Sequence, residues 1–331
     1  MTQTEQPRED LPSPPSHPDS DRPGTTIQTT QSVGEMQGGK VTGVEIGTVT
    51  GPVYIQVASA VPPSLAEDLR QPILKTARFE PETVLIRAGP FVMGSDGLAA
   101  APWERGQHEL VLPDFRIGKY PVTVREYAAF IKDCKQQPSP REPREWFNRE
   151  PPSDRLDHPV TGVSWHDALA YCAWLGQQEQ TGRPYTLPSE AEWEKAASWG
   201  PGLYEKRTYP WGNEWLDGLC NMSGSGTTPV RAHAAGASAY GVQDLLGNVQ
   251  EWTRSYWGTQ PEEPEFGYPY DPDDDRREIV ASPDLPPSGW MVHRGGYYKS
   301  KRAGLRCTAR GNALADSKVA WRGFRVAIRI E

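Results

Sequence analysis

The sequence predicts an α+β domain with few helices, short strands and much irregular structure. Three observations carry that expectation. The 331 residues include 33 prolines, 32 glycines and 12 tryptophans, the composition of a loop-rich chain whose core rests on large aromatic anchors. Clear helix starts followed by apolar residues at helical spacing occur at Thr123, Ser164 and Ser189. Beyond residue 200 that periodicity fades into short aromatic runs separated by Gly/Pro loops, which read as strands.

Taken in order, residues 1–37 are rich in Pro, Ser, Thr, Asp and Gln and nearly devoid of apolar side chains. Such a segment buries too little surface to offset its chain entropy and is expected to be a disordered tail. In residues 38–58, "GGKVTGVEIGTVTGPVYIQVA", Val41, Val44, Ile46, Val49, Val53, Ile55 and Val57 alternate with glycines and polar residues. This predicts a small β segment with tight turns, too small to hold a core alone. Docking on its own chain and self-association with another copy are equally open. Residues 59–81 read as a connector, and residues 82–331 as the main domain.

That domain opens with "ETVLIRAGPFVMGS", expected as a strand pair turned around Ala88-Gly89-Pro90. "TVRE" at 123, "SWHD" at 164 and "SEAE" at 189 each place a hydroxyl three residues before an acid, the pattern of a helix-capping box. Val124, Tyr127, Phe130, Ile131 and Cys134 follow the first. Ala168, Tyr171, Cys172, Trp174 and Leu175 follow the second, and Trp193, Ala196 and Ala197 the third.

Several function classes are disfavoured. A net charge of −8 argues against a general nucleic-acid binder, and no apolar run is long enough to span a membrane. The first twenty residues lack the regions of a secretory signal. Cys134, Cys172, Cys220 and Cys307 are widely spaced, which suits neither a disulfide scaffold nor zinc, so a reducing cytoplasm is the expected location. The six histidines show no HxH or HExxH spacing, and no P-loop, GxGxxG or GxSxG elbow is present. His166 and Asp167 fall at a helix start, where capping is the expected role.

"VLIRAGPFVMGSD", "YPVTVREYAAFI", "HPVTGVSWHDALAYCAWL", "YTLPSEAEWEKAA", "YPWGNEW", "YGVQDLLGNVQEWT", "HRGGYY" and "RGFRVA" occur in the order found in formylglycine-generating enzyme (sulfatase-modifying factor) domains. The resemblance covers about residues 82–330 and implies that family's variant of the C-type lectin fold. Active members oxidise a substrate cysteine to formylglycine with two cysteines that bind copper(I), an ion suited to soft thiolates. Counted from Gly295-Gly296, the first of those positions is Ser300 here. The second is Leu305, or Arg302 if counted back from "CTAR". A copper centre and formylglycine synthesis are therefore not expected. Cys307 and Cys172 match structural cysteines whose disulfide partners correspond to Ala197 and Val326, so both are expected as free, buried thiols.

The resemblance also implies calcium in "LLGNVQEW", with side-chain oxygens from Asn248 and Glu251 and main-chain oxygens from Leu246, Gly247 and Val249. The alternative is that Asn248 stabilises a turn and Glu251 meets a cation or backbone donor. A second calcium site would use Asn221 and the Met222 carbonyl, but the loop carrying its aspartate is shortened. "YDPDDDRRE" at 270–278 reads as a solvated acidic loop. Ergothioneine-type sulfoxide synthases share the fold but draw iron-binding histidines from a preceding helical domain. Only His17 precedes residue 82 here.

Without the cysteine pair, the segment that frames the family's substrate cleft needs another role. Tyr297, Tyr298, Ser300, Arg302, Gly304, Thr308, Asn312, Leu314, Asp316, Ser317, Val319 and Trp321 follow no apolar period. They are dominated by residue types used in adaptable binding surfaces. The segment looks like the diversified C-terminal stretch of variable proteins from diversity-generating retroelements, some of which use this fold. The leading expectation is a non-catalytic protein that binds a protein or small-molecule ligand there. The alternatives are a divergent oxidase or modifying enzyme and a regulatory accessory module.

Overall fold

In the computed structural model the described residues are 78–330, apart from 135–142, 145, 147–149, 179–182, 204 and 280–288. The expected tail, the Gly/Val segment 38–58 and most of the connector lie outside them. Within the connector's end, Glu80 is fully buried and accepts from Arg183 Nη1 and Tyr185 Oη. Packing therefore begins before residue 82.

All three expected helix starts form helices: α1 (Val124–Asp133), α2 (Trp165–Gln177) and α3 (Glu190–Ser198). In each, a hydroxyl accepts from a first-turn amide while the acid three residues on accepts from the cap amide, so two otherwise free donors are satisfied. Thr123 and Glu126 make these contacts at 3.3 and 2.9 Å. Helix α1 buries Val124, Tyr127, Phe130 and Ile131, the residues picked out by their spacing.

Among the described residues the strands are short and lie in three sheets. One sheet has the order β1 (Thr83–Ile86), β4 (Phe115–Gly118), β10 (Ala327–Arg329), β5 (Tyr185–Thr186). A two-stranded sheet joins β2 (Gly89–Met93) to β3 (His108–Leu112). The third runs β8 (Arg310–Leu314), β7 (Trp290–Arg294), β6 (Gln250–Gly258), β9 (Arg322–Phe324), with β6 and β9 parallel.

The expected hairpin at Ala88-Gly89-Pro90 is a correction. β1 pairs with β4 and β2 with β3, so the two strands part company. Local chemistry accounts for this. Asp114 accepts from the Ala88 amide and from Arg87 Nη1, while Lys195 Nζ donates to the carbonyls of Arg87 and Gly89 at 2.8 and 2.9 Å. The polar groups of the turn are held by side chains from elsewhere.

Two apolar clusters fill the interior. One joins α1 and α2 to the third sheet through Tyr127, Tyr171, Trp165, Trp252 and Phe324, with Tyr127 and Tyr171 stacked at 5.6 Å. The other surrounds α3 with Phe91, Phe115, Leu245, Leu305 and Cys307. Gly323 lets β9 run against the chain at Val160, whose carbonyl oxygen would lie 2.3 Å from any Cβ.

Every residue of α3 is buried, yet the helix carries Glu190, Glu192, Glu194 and Lys195 rather than an apolar surface all round. Each carboxylate has a cationic partner. Glu190 takes Arg310 at 2.6 Å and Arg277 at 3.5 Å; Glu192 takes both terminal nitrogens of Arg254 at 2.6 and 2.8 Å. Glu194 takes Arg294 and, at 2.5 Å, Lys206. Burial alone would raise the Glu194 carboxyl, but Lys206 and Arg294 override it and hold it at about 2.

Three outcomes follow for stability. Thr123→Ala should cost about 1 kcal/mol in urea unfolding, and Glu192→Gln about 3 kcal/mol, because it removes the charge facing both terminal nitrogens of buried Arg254 and leaves Glu278, 3.2 Å from Nε, as its remaining carboxylate. The depressed Glu194 ionisation contributes stability that is fully present above the ordinary carboxylate range and is lost as pH falls from about 4.5 towards 2. Glu194→Gln should therefore flatten the acid limb of the urea-midpoint profile; an unchanged acid limb would contradict this coupling.

Candidate functional site

The C-terminal segment starts where β7 ends at Arg294, whose guanidinium is fully buried against Glu194 and the Thr308 and Ala309 carbonyls. Gly295 then adopts φ +89, with the Leu245 carbonyl 2.7 Å from where a Cβ would sit, so no side chain is accommodated. The Ser300 hydroxyl accepts from the Tyr297 amide at 2.9 Å, and the Ser300 amide donates to the Tyr297 carbonyl at 2.8 Å. The position that would carry the family's first thiol thus closes a turn.

At the second position, Leu305 is fully buried, whereas Arg302 is exposed with its guanidinium 5.3 Å from the Trp215 ring. Cys307 and Cys172 are free and buried, as expected, and burial pushes both thiols far up. Cys307 shares its apolar cluster with Ala197, and Cys172 shares the other with Val326. Among the described residues nothing supplies a pair of accessible soft ligands, so copper(I) does not fit this site.

The expected binding residues divide by environment. Arg302, Gly304, Leu314, Asp316 and Trp321 are exposed, and Tyr297, Ser300, Asn312, Ser317 and Val319 are half-buried. Tyr298 and Thr308 are buried, which corrects their placement on an open surface; the Thr308 hydroxyl donates to Glu104 at 3.3 Å. One group is brought together by direct contacts. Tyr297 packs on Trp321 at 5.6 Å, the Trp321 carbonyl accepts from Gln250, and Gln250 and Ser317 both accept from Arg322. Arg302 instead lies on an aromatic loop in which Tyr209, Trp211 and Trp215 pack at 5.2 to 5.5 Å. Asn312 donates to the Pro261 carbonyl, and Asp316 meets His166 at 3.4 Å.

Sequence reasoning missed Arg322, Gln250 and the aromatic loop. The "RGFRVA" motif contains Arg322, but only the fold places it against Ser317.

The calcium loop has its side chains engaged by protein. Asn248 accepts from the Thr228 amide at 2.9 Å and donates to the Thr228 carbonyl and to Asp244. Glu251 is fully buried, with both oxygens on Arg325 and one also on Trp193 Nε1. Asp244 is pushed up to about 6 by burial. With Glu251 held by Arg325 through both oxygens and Asn248 engaged by Thr228 and Asp244, the two expected side-chain donors are already committed, and that donor set does not fit a hard dication well. No cluster of three or more His, Cys, Asp or Glu suited to a metal occurs among the described residues. Calcium or a chelator should leave Tm unchanged; a saturable rise with calcium would show that Arg325 yields Glu251 to the ion.

Residues 71–330 match the family described as Sulfatase-modifying factor enzyme 1-like domain. The chain is 38% identical over 201 residues to hercynine oxygenase of Mycolicibacterium smegmatis, covering 52% of this chain and 45% of that protein. It spans about half the length of the curated relatives it matches. Among solved structures, PvdO from Pseudomonas aeruginosa superposes with a TM-score of 0.56 at 25% identity, covering 78% of this chain and 98% of that one. Treponema denticola variable protein 1 does so at 0.54 and 19% identity, covering 78% and 98%, a likeness of fold. Few helices, short strands and much irregular structure here form the C-type-lectin-like fold of these proteins.

Proposed function

This chain belongs to the sulfatase-modifying factor enzyme 1-like domain family, and from that premise we propose that it binds a ligand rather than transforming one. The observation that carries the reading is Ser300. Its hydroxyl is spent on the Tyr297 turn, at the position where the family's oxidation chemistry needs a thiolate. The four cysteines are free and buried, and burial pushes the thiols of Cys172, Cys220 and Cys307 up, so none of these three offers a metal a thiolate.

The ligand surface is centred on Tyr297, Ser317, Val319 and Trp321, with Arg302 and Gly304 on the side of the aromatic loop. Tyrosine and tryptophan offer large contact area at low entropic cost, and the small polar residues adapt their hydrogen bonds. The composition also suits a segment diversified between copies of the gene. A near-repeat of the 3′ coding sequence that differs only at adenines would establish that, and its absence would remove it. Location in a reducing compartment suits four free thiols.

A second reading, a divergent oxidase or oxygenase, is favoured by the identity to hercynine oxygenase. Titration with copper(I) and with iron(II), each followed by oxygen uptake on a cysteine peptide and on hercynine, separates it from the first. No tight binding and no uptake are expected, and turnover would overturn the binding reading.

A further inference from the structure

Six arginines are buried among the described residues: Arg254, Arg277, Arg294, Arg310, Arg322 and Arg325. Five of them pair with a carboxylate, namely Glu192, Glu190, Glu194, Glu190 and Glu251 for Arg254, Arg277, Arg294, Arg310 and Arg325. Arg322, only 6% exposed, pairs with no carboxylate among the described residues.

Its contacts are neutral. Nε and Nη2 donate to Gln250 Oε1 at 3.2 and 3.1 Å, and Nη1 donates to Ser317 Oγ at 3.2 Å. The guanidinium lies over the Trp252 ring at 4.4 Å. Each terminal nitrogen carries two N–H groups and spends one here, which leaves donors on both. Burial pulls the Arg322 ionisation down to about 10, the effect of taking a cation from water without an opposing charge. His293, beside Trp252 in the strand register, adds no second positive charge, since burial and Arg322 itself keep it neutral.

A buried charge without a partner is among the costliest arrangements in a protein interior. This one sits at the edge of the surface formed by Tyr297, Ser317, Val319 and Trp321; the Arg322 amide also donates to the Val319 carbonyl. Trp321 beside it is 37% exposed and carries Tyr297 against its ring. We propose that Arg322 is the anchor of an oxyanion-binding subsite, with Ser317 and Gln250 fixing its fork and the ligand supplying a carboxylate, sulfate or phosphate group. An oxyanion can accept the remaining Nη donors in the charge-assisted geometry for which arginine is suited. The proposal rests on residues 297–321 being a ligand surface and adds the chemical class of the ligand.

The test is the melting temperature of the full chain, titrated with sulfate, phosphate or acetate against chloride at matched ionic strength. At least one oxyanion should give a saturable rise of about 3 °C, and the one that does identifies the ligand group. Arg322→Gln should abolish the rise. Gln250→Glu guards against a variant that merely fails to fold. It sets a carboxylate against the guanidinium, so it should raise Tm without added anion and remove the response. A wild-type protein with no saturable response overturns the proposal, as does a Gln250→Glu protein that keeps the full response. Because the probes are simple ions, such a failure removes the oxyanion class alone. The ligand-binding reading stands or falls separately, on the copper, iron and oxygen measurement.

Discussion

Everything in this domain depends on a helix that carries acid into the interior. Helix α3 has no exposed face, and its three glutamates are stable only because arginines converge on them from other parts of the chain. Arg254 comes from β6, Arg294 from β7 and Arg310 from β8. Such pairs contribute little over an apolar core of equal volume, but removing one partner is costly. Their consequence here is geometric. Strands with little regular pairing are pinned in one register to one helix.

The same device reaches the binding surface. Arg294 and Arg310 bracket the loop from Gly295 to Ala309, so both ends of that excursion are tied to α3. Arg325 ties the other border, joining Glu251 to the carbonyls of Gly118 and Gln243 between two sheets. Between these anchors the chain needs little regular structure of its own, and Arg302, Asp316 and Trp321 stand in solvent. Surface residues can change without disturbing the clamps, which is what a binding segment on a rigid scaffold requires. Arg322 departs from this pattern as a buried arginine on the surface side of the last clamp.

Legibility in the sequence followed the range of the interaction. The capping boxes at Thr123, Ser164 and Ser189 are local and were read correctly, as were the helical faces they begin. The hairpin at Gly89 was misread because Asp114 and Lys195, distant in sequence, hold its turn. The free thiols at Cys172 and Cys307 were legible through family positions. The clamps were not, because Glu190 and Arg310 lie far apart and neither announces a partner. For the same reason Glu251 read equally well as a calcium ligand or as the partner of a cation, until Arg325 appeared on both its oxygens. Tyr298 and Thr308 carried no signal of burial, since tyrosine and threonine are common on either side of a surface.

The central claim is that α3 holds the C-terminal segment in place through buried ion pairs. Amide hydrogen exchange on Glu190→Gln, which strands Arg310 and Arg277, tests it most directly. The account requires protection to fall together in α3 and in residues 310–314, while α1 keeps its protection. Loss confined to α3, with residues 310–314 unchanged, would contradict it.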